Sequence, residues 1–417
     1  MQPCGRPAGT MSRKIGGVVV AFITAVALAA RADVASDRAA AILVFPKLVV
    51  DTANPPVTAR GPVDTLIRIS NTSAQPISMR CFYVDATPQC SNSSGSCMST
   101  PVTCTGTCQP QWQERDFFVN ITANQPVAWL VSQGAIGCSE GPTPGVPCFP
   151  LTTNGQFSPN GQTNNGSNVP PAPEDPFIGE LKCIAVDQND VPVERNDLKG
   201  EVEIVRSTTG VVDVESYNAI GIPAIPGTNN GDNTLVLGGY VCAGGTKAQN
   251  ICAGSSDCPG GTCVSIGEYS GCPNVLILDH FFDGADDPVS GDRVTTDLTL
   301  VPCSEDLLTL TPVTTPVQFL VFNEFEQRFS TSRLIKCFQE FTISSIDTPS
   351  PDKSIFSAAV NGTLTGQTRI RGVADQHTDH GHAILGVAEE FRQGGGTAAF
   401  NLHFNGSRPQ SDFIYLP

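Results

Sequence analysis

The sequence predicts an all-β protein made of two or three Ig-like antiparallel β-sandwich units with long disulfide-tied loops. Short runs rich in Val, Ile, Phe and Thr alternate with Gly, Pro, Asn and Ser clusters along the 417 residues, which is typical of sandwiches. The chain contains 40 glycines and 33 prolines, and charged residues make up 15% of it. An average domain has about 25% charged residues. Both deviations indicate many turns and few exposed helices.

The predicted strands follow one another at short intervals. The clearest runs, in chain order, are Ala41–Val50, Thr65–Ser70, Ile77–Val84, Asp116–Ile121, Leu181–Val186, Glu201–Val205, Thr234–Val241, Val275–His280, Val317–Asn323, Leu334–Phe341, Thr368–Val373 and Thr397–Phe404. Only Ala383–Phe391 has a pattern that a short helix could also have.

A short sequence pattern that occurs three times in the chain supports a repeated unit. The string apolar–basic–Cys–apolar occurs around Cys81, Cys183 and Cys337, and an apolar run ending in Asn71 or Asn323 precedes the first and third copies. Because alternate side chains of a strand share a face, each of these cysteines is expected to point into a core. We interpret this recurring pattern as a pair of neighbouring strands that is present in at least two sandwiches.

Residues 1–32 have the features of a secretory signal peptide. Translation from Met11 would place two basic residues ahead of the uncharged, mostly apolar run at 16–30, and Ala30-Arg31-Ala32 is a small-x-small cleavage site. The run is too short and wrongly flanked for a membrane span. We therefore expect a protein that is secreted or periplasmic.

The remaining chain is divided by long irregular stretches. We expect an N-terminal β-sandwich region with a Cys-rich loop at 33–154, a Gly/Asn/Pro-rich loop or linker at 155–175, a β region at 176–302 and a C-terminal β-sandwich region at 303–417. The third region carries an inserted cysteine knuckle at 242–272.

The charge of the chain excludes some partners. The formal net charge is −16, and residues 1–32 contribute only basic groups to it. So acidic a protein repels nucleic acid, and no second apolar segment is long enough for a membrane span. The partner that we expect is a protein or glycan at the cell surface.

The cysteines favour disulfides over metal ligands. Export leads to an oxidising compartment, and the clusters lack the close CxxC pairs of zinc ribbons. Ten loop cysteines are disulfide candidates: Cys90, Cys97, Cys104, Cys108, Cys138, Cys148, Cys242, Cys252, Cys258 and Cys263. Without Cys4, which precedes Met11, an odd number of cysteines remains. One thiol is then free, or one bridge joins two chains.

The third cysteine-rich loop resembles a known module. Cys242-Ala-Gly-Gly, Cys252 and the string Ser256-Asp-Cys-Pro-Gly-Gly-Thr-Cys263 are similar to the DCPGGxC-type knuckle of uncharacterised secreted bacterial proteins. The resemblance covers residues 242–263. It implies a secreted bacterial protein and carries over no catalytic residue.

Two clusters could hold a metal ion, and no other cofactor is predicted. His377, Asp379, His380 and His382 are a ligand set for a transition metal, and in an extended segment His380 and His382 project to one side. The alternative is a solvated polar turn.

A second cluster of carboxylates could bind calcium. Asp283, Asp286, Asp287 and Asp292 lie in a Gly-containing loop, and carboxylate oxygens suit this cation. The alternative is an acidic hairpin turn.

The sequence favours a non-enzymatic role. It contains no GxSxG, HExxH or P-loop motif. Long cross-linked loops on β-scaffolds are where such folds carry recognition. We expect a binding or structural protein at the cell surface with an unknown ligand. The alternatives are a metal-dependent extracellular enzyme that uses His377, His380 and His382, and a surface-layer or appendage subunit.

Overall fold

Strands form nearly all of the regular structure in the computed structural model, which describes residues 34–99, 101–137, 161–163, 169–208, 211–252, 254–373 and 381–417. Within these ranges the helical segments are α1, Ala358–Asn361, and three single 3-10 turns at Ser255–Asp257, Ile343–Ser345 and Pro351–Lys353. The predicted all-β class is confirmed, with several antiparallel sheets. No helix in the described ranges is long and apolar enough to cross a membrane.

The strands of the first half are β1 Ile42–Val50, β2 Val63–Asn71, β3 Ile77–Asp85, β4 Pro88–Cys90, β5 Cys108–Pro110, β6 Gln113–Ile121, β7 Pro126–Leu130, β8 Ala135–Gly137, β9 Gly161–Thr163, β10 Phe177–Val186, β11 Leu198–Thr208, β12 Val211–Asn218 and β13 Ile220–Ile222.

The strands of the second half are β14 Thr234–Gly238, β15 Tyr240–Gly244, β16 Gly261–Ser265, β17 Pro273–Phe281, β18 Val294–Pro302, β19 Glu305–Asp306, β20 Thr314–Asn323, β21 Arg328–Lys336, β22 Gln339–Thr342, β23 Thr365–Gly372, β24 Ile384–Arg392, β25 Thr397–Asn401, β26 His403–Ser407 and β27 Ser411–Tyr415.

Five sheets of three or more strands organise the described chain. Sheet I has the order β13-β1-β10-β3-β6 and sheet II the order β12-β11-β2-β7. Sheet III has the order β21-β20-β23-β17-β26 and sheet IV the order β22-β18-β24-β25. Sheet V, β14-β27-β19, joins the tail of the chain to two earlier segments, with β19 and β27 parallel. Sheets I to IV are antiparallel throughout.

The two halves have the same topology. Nine strands of the first half are divided between sheets I and II in the same chain order as nine strands of the second half are divided between sheets III and IV. In chain order, the strands that correspond are β1, β2, β3, β6, β7, β10, β11, β12 and β13 in the first half and β17, β18, β20, β21, β22, β23, β24, β25 and β26 in the second. With this correspondence the strand order of sheet III is that of sheet I, and the order of sheet IV is that of sheet II. A repeated unit is therefore present.

The alignment that the sequence predicted for this repeat is wrong. β20 and β21 are paired neighbours, but β2 and β3 belong to different sheets. Cys81 and Cys183 lie opposite each other on β3 and β10 and form a disulfide, whereas Cys337 follows β21 as a buried free thiol. The recurring sequence pattern reflects the composition that buried strands share. In the repeat that the structure shows, β3 corresponds to β20 and β10 corresponds to β23.

Each pair of sheets encloses a core. Between sheets I and II, the Trp129 indole N–H donates to the Tyr83 hydroxyl at 2.7 Å, and the Phe117 ring meets the Trp129 ring edge-on. Between sheets III and IV, one apolar cluster includes Leu278 and Phe319 of sheet III and Leu298, Leu300 and Ala388 of sheet IV. Because an inward position alternates with an outward one, each sheet presents one face to its partner.

Sheet I is covered on its other face as well. Every residue of β1 is buried, and so are all but one of β10. Leu307, Ile414 and Leu416, in and beside sheet V, belong to the same apolar cluster as the strands of sheet I. The second half thus covers the outer face of sheet I.

Several predicted boundaries differ from the structure. All of Ala383–Phe391 except Ala383 belongs to β24 rather than to a helix, because β18 and β25 pair with this strand on both sides. The predicted strand Leu334–Phe341 is interrupted at Cys337, whose φ of 59° turns the chain between β21 and β22.

The sheets also cross the predicted regional boundaries. β10 lies between β1 and β3 although the segment 155–175 separates them in the chain, and β17 and β18 join sheets formed mainly by residues after 303. Residues 32–417 cluster as one compact unit. The five larger sheets together resemble a propeller-like ring, so the Ig-like prediction is confirmed only at the level of antiparallel sheets.

Candidate functional site

The cysteine-rich loops are held by local disulfides. Eight of the ten predicted loop cysteines pair as Cys90–Cys104, Cys97–Cys108, Cys242–Cys258 and Cys252–Cys263. Cys272–Cys303 closes a further link between the strands of the second half. Cys138 and Cys148 lie outside the described residues. The thiols that could have bound zinc in these loops are therefore used in bridges.

The histidine cluster is mostly outside the described residues. His377, Asp379 and His380 belong to the segment 374–380, whose structure is not described, and His382 is a buried residue directly before β24. The transition-metal site therefore stays a prediction.

The acidic loop is hydrogen-bonded to the protein itself. Asp283 accepts from the backbone N–H groups of Thr296 at 2.8 Å and Ser344 at 2.9 Å, and burial raises its pKa to about 6. Asp287 accepts from the Arg392 Nε at 2.8 Å.

The other two aspartates of this loop lie apart. Asp286 is 3.5 Å from the Arg293 Nε, and Asp292 packs beside Gly394. Among the described residues, no three of the four aspartates converge within metal-bonding reach. Their arrangement is that of a hydrogen-bonded turn, and the calcium site stays a prediction.

A buried ionic cluster joins the two halves of the molecule. The Lys47 ammonium of β1 contacts Glu389 of β24 and lies 3.1 Å from Glu340 Oε1 of β22. Arg206 of β11 donates to Glu389 and to Glu215, both at 2.9 Å. Burying such charges is costly unless they are paired, so we interpret the cluster as a structural clamp.

Three carboxylates of this cluster converge closely enough to bind a metal ion. Ligand oxygens of Asp297, Glu340 and Glu389 all lie within 4.8 Å of one another. The Lys47 ammonium contacts two of the three carboxylates and lies close enough to Asp297 to feel its charge. The Lys47 ammonium pairs with Glu340 and Glu389, and the Arg60 guanidinium pairs with Asp297, so cations of the protein itself compensate these carboxylates.

The protonation state of Glu215 affects the net charge of the buried ionic cluster. Burial and the neighbouring Glu389 charge raise the pKa of Glu215 to about 8. Although Glu389 is also buried, Lys47 and Arg206 lower its pKa to about 2. Glu215 is therefore protonated at neutral pH, and its carboxyl group can donate to the Glu389 carboxylate.

The outer face of sheet III differs in character from these buried sites. On the central strand β23, Thr368 and Ile370 are buried while Arg369 and Arg371 are exposed. Arg369 lies opposite Leu320 of β20 and Ile277 of β17, and Arg371 lies opposite Gln318. The outward positions of β21 add the polar groups of Arg328, Ser330, Ser332 and Lys336 to this face, together with the exposed side chain of Leu334.

The basic side chains of this face have no acidic partner among the described residues. Arg328, Lys336, Arg369 and Arg371 form no ion pair with any residue in the described ranges, in a chain of net charge −16. On the outer face of sheet II, in contrast, Arg68 lies 3.2 Å from Glu201 and also contacts Glu203. Sheet III therefore presents a local positive surface within an acidic protein.

A groove of about 590 Å³ lies at one end of this face. It is lined by polar and aromatic groups, among them Asp279, Phe322, Glu324, Gln367 and Glu390. The Gln367 amide donates to Asp279 at 3.1 Å. The Arg369 guanidinium carbon is 5.6 Å from the centroid of the Phe322 ring, so Arg369 adjoins the groove, and Arg371 lies two residues further along β23.

His280 also lines the groove, but it has a structural role. Its ring is buried, with Nδ1 2.8 Å from the Phe281 carbonyl and Nε2 2.8 Å from the Thr368 hydroxyl. Burial lowers its pKa to about 4, so the imidazole is neutral at neutral pH.

Sequence reasoning missed this surface although a local signal exists. Thr368-Arg-Ile-Arg371 alternates charged and uncharged residues with the period of a strand, which places both arginines on one face. No protein-family profile, curated protein or solved structure matches this chain at a significant level.

Proposed function

We propose that the chain is a secreted or periplasmic, non-enzymatic binding protein whose ligand contacts the outer face of sheet III. The observation that carries the proposal is the pair Arg369 and Arg371 on the central strand of an exposed sheet in an acidic protein, where neither forms an ion pair with a described residue. The disulfides support an oxidising compartment.

Comparison of the two halves supports this choice of surface. Sheets I and III have the same strand order, but the outer face of sheet I is apolar and covered by the second half of the chain. The equivalent face of sheet III is exposed and basic at Arg369 and Arg371, which lie beside the half-buried Leu320 and Ile277. Two units of one topology thus use the same face differently, which is consistent with a binding role for the open one.

Protection of a sheet edge is the alternative explanation for basic residues on a sheet. Lys and Arg on edge strands prevent pairing with other chains, and Arg328 and Lys336 lie on the edge strand β21. Arg369 and Arg371, however, lie on β23, which has β20 and β17 on either side. Edge protection therefore does not account for them.

We further propose that the sheet pairs I/II and III/IV are Ig-like sandwich units. The shared strand order and the separate core between sheets III and IV support this reading. An experimental structure in which these two sheets shared no common core would contradict it.

Retention on native material tests the binding role. The mature protein is incubated with cell-envelope and culture-medium fractions of the producing organism, and Arg369→Gln/Arg371→Gln is compared with Arg68→Gln. A charge-assisted hydrogen bond contributes roughly 1.5–3 kcal/mol, so we expect the double variant to lose about tenfold or more in retention. The Arg68 variant should behave as wild type. Equal retention of all three proteins would overturn the proposal.

A further inference from the structure

We infer that the ligand of the sheet III surface is an acidic polysaccharide in which uronic acid units alternate with neutral sugars. This inference rests on the proposed function and names the class of its ligand. It depends on two adjacent features of opposite character, the arginine pair and the carboxylate-lined groove.

The arginine pair is suited to carboxylates that are fixed on a chain. Arg369 and Arg371 are two residues apart on one strand, so their Cα atoms are separated by roughly 7 Å along it. A guanidinium group binds a carboxylate through two parallel hydrogen bonds, which a compact ammonium group cannot do. Gln318 and Leu320 occupy the neighbouring strand and leave the pair open to solvent on the described part of the sheet.

The groove is suited to hydroxyl groups rather than to anions. Asp279 adds negative charge to it, and the Glu390 carboxylate lies 3.7 Å from Arg392 Nη2. Glu324 accepts from the Thr365 backbone N–H and hydroxyl at 2.9 and 2.8 Å through one oxygen. Carboxylate oxygens accept hydrogen bonds from hydroxyl donors, and neutral sugars carry many such donors. A second carboxylate of the ligand placed here would be repelled.

The two features together favour an alternating polymer over a uniformly charged one. Phe322 lines the groove and packs against Arg369, so a ligand that binds the arginines extends directly into the groove. A nucleic acid or a polymer with a charge on every unit would bring its negative groups close to Asp279 and Glu390. A neutral polymer would leave the arginines without a partner.

An acidic protein is the competing kind of partner. Protein interfaces usually have an apolar, aromatic-rich core surrounded by a polar rim. Around Arg371, the outward positions carry Gln318 and Ser332 instead, and the row of Arg369 carries Ser330 with the half-buried Leu320 and Ile277. The hydroxyl and amide groups around Arg371 suit a hydroxylated chain better than a protein surface.

Three polysaccharides of defined charge pattern test the inference. Binding of the mature protein is measured by titration calorimetry with hyaluronan, which alternates glucuronate and N-acetylglucosamine, with alginate, in which every unit is a uronate, and with dextran, which is neutral. We expect hyaluronan to bind at least about tenfold more tightly than either of the others, a difference of about 1.4 kcal/mol. We also expect the affinity to fall as salt is raised.

Variants on both features sharpen the test. Arg369→Gln/Arg371→Gln should weaken hyaluronan binding about tenfold or more, and Arg68→Gln should leave it unchanged. Asp279→Asn removes a groove charge at an exposed position, so it should weaken hyaluronan and strengthen alginate. Thermal unfolding of each variant shows that the fold is retained.

The opposite results would overturn the inference. Dextran binding as tightly as hyaluronan would show that charge is irrelevant, and alginate binding more tightly would show that the groove does not select neutral sugars. If no polysaccharide bound while retention on native fractions still depended on Arg369 and Arg371, the ligand class would be wrong and the proposed function would stand. Identification of an acidic protein as the retained partner would likewise show that the ligand class is wrong and that the proposed function stands.

Discussion

Glu215 is the residue whose protonation links the pH of the medium to the buried ionic cluster. Its pKa in the folded protein is about 8, compared with 4.5 for a free glutamate side chain. Between these two values the folded state binds more protons at this site than the unfolded state does. The free energy of unfolding therefore falls as pH rises from about 4.5 to 8 and is constant with respect to this group outside that window.

Replacement by glutamine tests this linkage. Glu215→Gln keeps a donor for Glu389 and an acceptor for Arg206 but cannot titrate. We expect the variant to lose less stability than the wild type between pH 5 and pH 8, with slopes that differ by at most about 1.4 kcal/mol per pH unit. Urea unfolding at several pH values measures both slopes. Parallel pH profiles for the two proteins would contradict the assignment of the proton to Glu215.

Lys47 offers a second test at the same scale. Lys47→Met leaves the Glu389 carboxylate with only Arg206 as a cation and removes the ammonium neighbour of Glu340. Breaking one side of a buried ion pair typically costs about 3–5 kcal/mol. Urea unfolding at pH 7 should show a loss of this size. A loss below about 1 kcal/mol would mean that the cluster contributes little to holding the halves together.

Single residues also show what the sequence can predict. Asn71 and Asn323 end β2 and β20, and each accepts a hydrogen bond from the backbone N–H two residues later, Ser73 at 2.9 Å and Phe325 at 3.0 Å. This local turn chemistry was predictable. The contacts that Glu215 and Lys47 make with Glu389 were not, because Glu389 lies more than a hundred residues away from both in the chain and on sheet IV.

At the scale of elements, local pattern predicts strands but not their partners. Runs such as Ile77–Val84 and Val275–His280 match β3 and β17 closely, because alternation is visible within a few residues. β18 was missed because Val294–Pro302 contains Asp297 and does not alternate strictly between apolar and polar residues. The Cys81–Cys183 bridge joins neighbouring central strands 102 residues apart in the chain, a separation over which local pattern carries no information.

The disulfides should therefore differ in their effect on stability. Under the chain-entropy account, a bridge that closes a loop of about 100 residues contributes about 4.7 kcal/mol, and one across about 15 residues contributes about 3 kcal/mol. We expect Cys81→Ala/Cys183→Ala to lower global stability by several kcal/mol. The Cys252–Cys263 bridge, with a separation of 11 residues, lies in a small exposed hairpin, β15–β16.

The matched control is Cys252→Ala/Cys263→Ala. Because its loop contacts few elements of the sheets, we expect increased hydrogen exchange in residues 242–263 with a global unfolding midpoint close to that of the wild type. Urea unfolding and hydrogen exchange together measure this. Equal global losses for the two double variants would contradict the distinction between a core bridge and a loop bridge.

At the scale of the whole molecule, two units of one topology are fused through sheet I. Lys47, Lys182 and Arg206 of the first half contact carboxylates of the second half. We therefore expect one cooperative unfolding transition rather than two. Trp112 and Trp129, the two tryptophans, both lie in the first half, so fluorescence reports on that half while circular dichroism reports on all strands. The two probes should give the same midpoint, and separate midpoints would contradict the coupling.

Arginine labelling with phenylglyoxal, followed by mass spectrometry, tests the central claim most directly, namely that the outer face of sheet III is open and binds the ligand. Arg80, Arg206 and Arg408 are buried and serve as internal references. We predict rapid labelling of Arg369 and Arg371 in the free protein and strong protection of both by hyaluronan, with Arg68 labelled equally in the two conditions. Slow labelling of Arg369 and Arg371 in the free protein, or no protection by ligand, would contradict the account.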